Sequence, residues 1–510
     1  MNDLIKKINQ LTQEVLKLWP APRKIATRVV KQMTTLNSEL ASAYACLSDQ
    51  KRFAAARIIS RPIFERSVFL EFILSDKTEL EQRARLFYHS SRLRQLLWVH
   101  YIIDDDDTMR SQSQLAALLT DFNQLHMSKN NETINEWVNH QIIRERNLFD
   151  RELRKSHYCD LTAFLHDDRR KGWYRTDPEM FNKAPKIDHL SDLARYVLHD
   201  DNNVGYLAVY GLDSLYTHGY YADKWNGLGM MPICSDLRVC DGLVLRLCER
   251  NLMMLKRYVD VPLKLNKQIN RLHRQIRNHI HHHYFKAHPH VTQPPVITIK
   301  SLYHFETQVA HMYADYQWLR QHHQNHAARI LTRTIFEQTV SLAWIMRYKK
   351  LRQVRLNLFI LSSRIQEVAN LRQLAHQQLH DQINTLEKQL KTTYDDLAAA
   401  LMASRTIKRD KRRRHWFAID ETINDIAGQS VRSMRQVAHL VLTSNWHFDF
   451  LYANGFHSVH VHGINLQHHF KVDGRQLLLT GDLNDMTLSD QVIADLWRTV
   501  KPFCKAKLYR

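Results

Sequence analysis

Charged residues at helical spacing are the groups most able to do chemistry in this chain. Arg57, Arg61 and Glu65 are four residues apart, so they would line one stripe of a helix. An Arg and a Glu at this spacing can pair across one helical turn, and the guanidinium can instead contact a phosphate. Most other positions of the segment are apolar, so we expect a buried helix whose charges are paired or face a cavity. A buried ion pair that serves packing alone is the alternative.

The same segment occurs twice. Residues 56–70 read ARIISRPIFERSVFL and residues 328–342 read ARILTRTIFEQTVSL, so Arg333 and Glu337 repeat Arg61 and Glu65. The same offset relates the Leu-Phe and Ser-Ser-Arg motifs within 86–92 to those within 358–364. We therefore expect two tandem, related domains, copy one over 1–260 and copy two over 261–510.

The composition favours long helices over sheets. Only 12 glycines and 11 prolines interrupt 510 residues, and 44% of the residues are hydrophobic. We predict a mainly α protein built from two helical bundles, each with a helical hairpin after the repeated helix. Pro62 inside the first repeated helix predicts a kink there. Asp473-Gly474, a tight-turn pair, predicts a small β-hairpin over 469–478.

A second echo places a Tyr with a His eight residues later in each half, Tyr210 with His218 and Tyr452 with His460. Copy two also has His457 close by. Two histidines near a Tyr have pKa values suited to proton transfer in RNA cleavage. If the stretch is extended, His460 and His462 face the same side and could bind zinc, which is an alternative use of the cluster.

The net charge points to a polyanionic partner. Lys and Arg outnumber Asp and Glu by 72 to 52, which gives +20 with neutral histidines, and such a balance attracts nucleic acid. Each half has basic residues next to aromatic ones, which could bind phosphates and stack on bases. These residues are Lys171, Trp173, Lys411, Arg412, Arg413, Arg414 and Trp416. A solvated linker with core tryptophans is the alternative.

Cysteine usage and hydropathy indicate the compartment. The six cysteines form no C-x-x-C pair, as expected for free thiols in a reducing environment. There is no signal-peptide pattern and no run of about 18 apolar residues, so we expect a cytoplasmic protein without a membrane partner. We expect no cofactor.

Arg277, Asn278 and His282 resemble the R-N-x-x-x-H signature of the HEPN ribonucleases, small helical-bundle enzymes of toxin and phage-defence systems. The resemblance implies RNA cleavage without metal, with Arg277 and His282 at a helical interface. A basic, partly solvated helix end is the alternative.

The order of the repeated motifs resembles an uncharacterised bacterial family of helical proteins of unknown function, present twice in this chain. The resemblance implies a helical fold and a shared site, lined by Arg61, Glu65, Tyr210 and His218 and by Arg333, Glu337, Tyr452 and His460. We expect a protein that acts on RNA, either a metal-independent ribonuclease or a toxin-like effector in antiphage defence. In that case Arg333 would stabilise phosphate charge while His457 or His460 moves protons. A non-catalytic helical scaffold that binds nucleic acid or a partner protein is the alternative, and a metal-dependent hydrolase is a third.

Overall fold

The computed structural model describes residues 1–20, 24–104, 132–155, 173–174, 187, 189–199, 237–283, 299–374, 380–399, 416–417, 431, 434–442, 471–472, 475–476 and 486–504. Fourteen α-helices lie within these ranges. The expectation of a mainly α protein with an internal duplication is therefore confirmed.

The helices of the first half are α1 (Asn2–Leu18), α2 (Ile25–Asp49), α3 (Phe53–Leu74), α4 (Leu80–Asp104), α5 (Ile134–Lys155), α6 (Leu190–Leu198) and α7 (Leu237–Lys256). Those that follow are α8 (Leu263–His283), α9 (Ile299–Gln321), α10 (Asn325–Arg347), α11 (Arg352–Leu374), α12 (His380–Ala399), α13 (Met434–Val441) and α14 (Thr487–Val500). A short 3₁₀ helix, Lys349–Leu351, precedes α11.

The two repeated segments form α3 and α10, which are the central helices of their halves. Every side chain from Ala55 to Leu74 in α3 is buried, and so is every side chain from His326 to Ile345 in α10. α3 packs against α2, α4, α6 and α7, while α10 packs against α9, α11, α13 and α14. The prediction of a buried repeated helix is confirmed, and α3 continues through Pro62 without a break.

Helical hairpins follow both central helices. α4 packs along α5 in the first half, and α11 packs along α12 in the second. The apolar residues of α12 that face inward recur at helical spacing, as Ile383, Leu390, Tyr394 and Ala398. The predicted hairpin of copy two is thus formed by these two helices.

The two halves contact each other through their central helices. α10 touches both α2 and α3, and α9 touches α3. Arg52, just before α3, forms an ion pair with Asp315 of α9, and its guanidinium lies 5.3 Å from the ring centroid of Trp318. One continuous hydrophobic core therefore runs through both copies.

α8 belongs to copy two by the predicted division of the chain but packs against copy one. It begins just after the predicted boundary at residue 260, yet it packs against α1 and α7 of the first half. A boundary after α8 would keep these contacts within one half. The division at residue 260 itself stays a prediction.

The only paired strands in the described ranges are two antiparallel two-residue strands, β1 (Lys471–Val472) and β2 (Arg475–Gln476). Ile187 and Val431 are in isolated β-bridges. The pairing covers only four residues, so the β-hairpin predicted over 469–478 is not supported. No helix in the described part of the chain has the length and apolar character that crossing a membrane requires.

Candidate functional site

Each central helix carries the predicted ion pair. Nε of Arg61 donates a hydrogen bond to Oε1 of Glu65 at 3.3 Å, and Nε of Arg333 donates to Oε1 of Glu337 at 3.1 Å. The side chains of the first pair are both 3% exposed, and those of the second are 4% and 6% exposed. Both pairs therefore lie in the protein interior, where an ion pair interacts more strongly than in water but pays for its lost hydration.

The two pairs influence each other across the junction of the halves. Burial raises the pKa of Glu65 to about 7, while the charges of Arg61, Arg66 and Arg333 oppose that rise. Burial also lowers the pKa of Arg66 to about 10. Because Arg333 belongs to α10, the carboxyl group of one copy is within electrostatic reach of a guanidinium of the other.

Further contacts fix the central helices in the same way in both copies. Nη1 of Arg83 donates to the carbonyl oxygen of Phe72 at 2.6 Å, and Nη1 of Arg355 donates to that of Trp344 at 2.6 Å. Each guanidinium also lies over the ring of the same residue, 4.5 Å from the Phe72 centroid and 3.8 Å from the Trp344 centroid. These arginines bind carbonyl oxygens in the last turn of each central helix and hold α4 and α11 in place.

A Tyr to Asp hydrogen bond is also repeated. The hydroxyl of Tyr44 donates to Oδ1 of Asp241 at 2.9 Å, and the hydroxyl of Tyr316 donates to Oδ1 of Asp490 at 2.7 Å. Burial raises the pKa of Asp241 to about 6, against the opposing effect of the Tyr44 hydrogen bond. The bonds join α2 to α7 and α9 to α14, so both copies have the same four-helix frame around the ion pair.

Trp173 and Trp416, predicted to stack on bases, are both 1% exposed. The ring centroid of Trp173 lies 5.3 Å from that of Phe87, and that of Trp416 lies 4.9 Å from that of Phe359. Phe87 and Phe359 belong to the repeated Leu-Phe motif, so the contact itself is duplicated. These contacts favour the alternative of core tryptophans, and the base-stacking role stays a prediction.

A basic surface lies on α8, which sequence reasoning did not single out as a whole. Its buried residues recur at helical spacing, as Leu265, Ile269, Leu272 and Ile276. Five cations of the same helix are exposed, and we call these residues the basic track: Lys264, Lys267, Arg271, Arg274 and Arg277. Residues 263–283 contain no Asp or Glu. The track spans roughly 20 Å at the rise of an α-helix.

Polar contacts hold α8 against α7 with the track outward. Nδ1 of His273 is hydrogen-bonded to Oε1 of Glu249, and Nζ of Lys256 donates to Oδ1 of Asn270 at 3.1 Å. Arg277 of the HEPN-like motif is exposed on this helix, while His282 lies in its last turn with a side chain outside the described part. The apolar and basic periodicity of 263–277 was the sequence signal for this surface.

Other predicted site residues fall outside the described ranges: Tyr210, His218, Tyr452, His457, His460, Lys171, Lys411, Arg412, Arg413 and Arg414. Their roles stay predictions. Within the described ranges, no three His, Cys, Asp or Glu residues come together in a way that could hold a metal ion. Burial raises the pKa of Cys248 and Cys504 to about 12, so neither thiol is a ready nucleophile at neutral pH.

The comparisons with known proteins agree with the duplicated frame. A family of unknown function, DUF5677, matches residues 28–229 and again residues 312–477, and the chain belongs to this family. No curated protein and no solved structure matches the chain. Residues 277–282 lie between the two family matches, and the resemblance to HEPN ribonucleases stays a prediction.

Proposed function

We propose that the protein binds RNA, or a nucleic acid of similar charge, along the basic track of α8. The observation that carries the proposal is the row of five exposed cations on a helix without an acidic residue. Successive cations lie three or four residues apart, about 5 Å along the axis, so a row of phosphates can be neutralised along the helix. The net charge of +20 adds long-range attraction to the same partner.

The binding test is the salt dependence of affinity for a fluorescently labelled single-stranded RNA, measured by polarisation. Five neutralised phosphates on a single strand predict a slope of log affinity against log salt of about −3.5. Reversing three charges, as Lys267→Glu, Arg271→Glu and Arg274→Glu, removes three contacts. The slope should then fall by about 2 in magnitude, with a large loss of affinity at low salt.

A matched control reverses three exposed cations elsewhere, as Arg151→Glu, Lys155→Glu and Arg498→Glu. These side chains are 59%, 60% and 76% exposed. Both triple variants change the net charge equally, so an effect of net charge alone would weaken both to the same extent. That equal loss, or unchanged affinity in the track variant, would show that α8 is not the binding surface.

A second candidate function is cleavage of the bound RNA without a metal ion, as in a toxin-like effector of antiphage defence. It is favoured by the raised pKa of Glu65, about 7, beside guanidinium groups from both copies. Glu65 is 2% exposed and Arg333 is 3% exposed, so RNA can reach them only if the junction of α3 and α10 opens. In that open state a carboxyl group that titrates near neutral pH can accept the proton of a ribose 2′-hydroxyl, while Arg333 stabilises the charge on the phosphorus centre. The 2′-oxygen would bond to phosphorus and the bond from phosphorus to the 5′-oxygen would break. His457 or His460 would protonate that leaving oxygen, giving a 2′,3′-cyclic phosphate and a 5′-hydroxyl.

The cleavage test uses purified full-length protein with total RNA and tRNA in EDTA. The parent should yield fragments with cyclic phosphate ends, and Glu65→Gln should slow their release by about 100-fold or more, the size of a general-base contribution. The double variant His457→Ala/His460→Ala tests the proposed proton donor. Asp241→Asn is the matched control, since Asp241 also has a raised pKa but lies outside the proposed site.

The burial of both ion pairs favours the alternative that binding is the whole function. Pairs that are at most 6% exposed suit residues that hold two repeats together in a scaffold for nucleic acid or a partner protein. Intact RNA after long incubation with the parent protein at several pH values, with binding retained, would decide for the scaffold.

A further inference from the structure

One basic side chain from each half is buried at the junction of α3 and α10. Arg66 is 1% exposed and His326 is 6% exposed. In the described structure, neither Nη1 nor Nη2 of Arg66 has a hydrogen-bond partner, and neither ring nitrogen of His326 has one. Two buried nitrogens on α3 and two on α10, helices that pack against each other, are therefore without a hydrogen-bond partner in the described structure.

Such atoms are costly unless something binds them. A buried donor without a partner costs about 1–3 kcal/mol, and more when it is charged. Buried groups of this kind in native proteins commonly mark an ordered water or ion. A guanidinium with two open Nη groups is suited to an oxyanion, because its parallel donors match two oxygens at once.

The two residues act on each other electrostatically. Burial lowers the pKa of His326, and the charges of Arg66 and Arg329 lower it further. The charges of Glu39 and Glu65 act on Arg66 in the opposite sense to burial. A negative ion between Arg66 and His326 would relieve the repulsion between them and would accept hydrogen bonds from Nη1, Nη2 and one ring N–H.

Arg66 and His326 are not among the polar residues that are repeated in both copies. In the repeat, Arg66 corresponds to Gln338 and His326 corresponds to Ala54. Gln338 is 1% exposed, so its position in α10 is as buried as that of Arg66 in α3. Copy one supplies the guanidinium and copy two the imidazole, so the combination exists only where the two halves meet.

We propose that Arg66 and His326 together bind a small tetrahedral oxyanion of the phosphate class, enclosed between α3 and α10. The guanidinium donates through Nη1 and Nη2, and the imidazole donates one N–H to the same anion. Both side chains are buried, so the ligand is a free ion rather than a phosphate within a polymer. The site is separate from the basic track of α8, and it would tie the two halves together.

The test measures thermal unfolding and equilibrium dialysis of the full-length protein with inorganic phosphate, with chloride at matched ionic strength as reference. Phosphate should raise the melting temperature of the parent, as expected for a ligand of the folded state. Arg66→Gln and His326→Ala should each weaken phosphate binding about 30-fold or more, as loss of one partner of a buried charge contact does. Each variant introduces the residue that the other copy has at the same position, which favours normal folding.

Arg498→Gln, at an exposed position, is the control and should bind phosphate like the parent. Two results would overturn the proposal. One is a parent protein whose melting temperature is the same in phosphate and in chloride and that retains no phosphate in dialysis. The other is phosphate binding that Arg66→Gln and His326→Ala leave unchanged, which would place the anion elsewhere.

Discussion

α3 and α10 share their polar skeleton but differ where they meet. The ion pair, the arginine that binds the helix-end carbonyl, and the Tyr to Asp bond occur in both halves with distances within about 0.2 Å of each other. At the junction the copies differ: Gln338 occupies the position in copy two that Arg66 occupies in copy one, and Ala54 occupies the position in copy one that His326 occupies in copy two.

The difference shows which contacts a single domain needs for itself. Contacts within each half hold helices that both copies contain, so each copy requires them independently. Residues between the halves face a partner that is not an exact copy, and they were free to diverge. Residues that are the same in both copies are therefore expected to stabilise each half, and residues that differ are expected to lie at the contact between the halves.

Loss of one carboxylate of an ion pair should have the largest effect. Glu65→Ala and Glu337→Ala each leave a buried guanidinium without this partner, and each should lower the free energy of unfolding by about 3–5 kcal/mol. Urea unfolding followed by circular dichroism measures the loss. The double variant Arg61→Met/Glu65→Leu removes both charges and should remain within about 1.5 kcal/mol of the parent.

A large loss of unfolding free energy for only one of Glu65→Ala and Glu337→Ala would show that the two ion pairs are not equivalent. A double variant as unstable as Glu65→Ala would show that the pair stabilises the fold beyond simple avoidance of an unpaired charge.

The arginines that bind the helix-end carbonyls should have the next largest effect. Arg83→Ala and Arg355→Ala each remove a hydrogen bond from a charged donor and a ring contact, and should cost about 2 kcal/mol. Arg355→Ala should cost about 0.5–1 kcal/mol more, because its guanidinium is closer to a ring and that ring is Trp344 rather than Phe72. Unfolding in urea again provides the measurement. A greater loss for Arg83→Ala would exclude the ring contact as the cause of the difference.

The smallest effects should come from the aspartates of the Tyr to Asp bonds, with opposite signs. The pKa of Asp241 is about 6 in the folded protein against about 3.9 unfolded, so the folded state binds the proton more tightly. Stability therefore falls as pH rises from about 4 through 6. Asp241→Asn should remove that fall and stabilise the protein at pH 7.5 by about 1–2 kcal/mol.

Asp490→Asn is the contrasting variant. Asp490 also accepts hydrogen bonds from Arg320, at 2.7 Å from Nη2, and its side chain is 41% exposed. Loss of this partly exposed ion pair should cost about 0.5–1 kcal/mol. Melting temperatures at pH 4 and pH 7.5 compare the two variants. A stabilising effect of both at pH 7.5 would mean that the two aspartates have the same environment after all.

The sequence predicted those features whose cause is local. Arg61 and Glu65 are one helical turn apart in an apolar segment, so their pairing and burial follow from periodicity alone. The repetition of the segment predicted the duplication, which the two family matches confirm.

Features that depend on distant partners were not predictable in this way. Tyr44 and Asp241 are 197 residues apart, and no sequence pattern near either residue predicts that the two form a hydrogen bond. The amphipathic pattern of α8 predicts a helix with one buried face but not which core that face covers. For Trp173, adjacent basic residues favoured a surface role, whereas the aromatic cluster of Phe69, Phe72 and Phe87 encloses its ring.

The contact between α3 and α10 also sets an order of events during synthesis. At roughly 5–20 residues per second, a ribosome needs about 3–13 s after completing α8 at His283 to complete α10 at Arg347. During this interval α8 can pack onto α1 and α7, but the side of α3 that will contact α10 is still exposed to solvent. Charged residues of α3 such as Arg66 would be hydrated until α10 packs against the helix. A nascent chain with such a surface is less exposed to aggregation than one that displays a purely apolar helix.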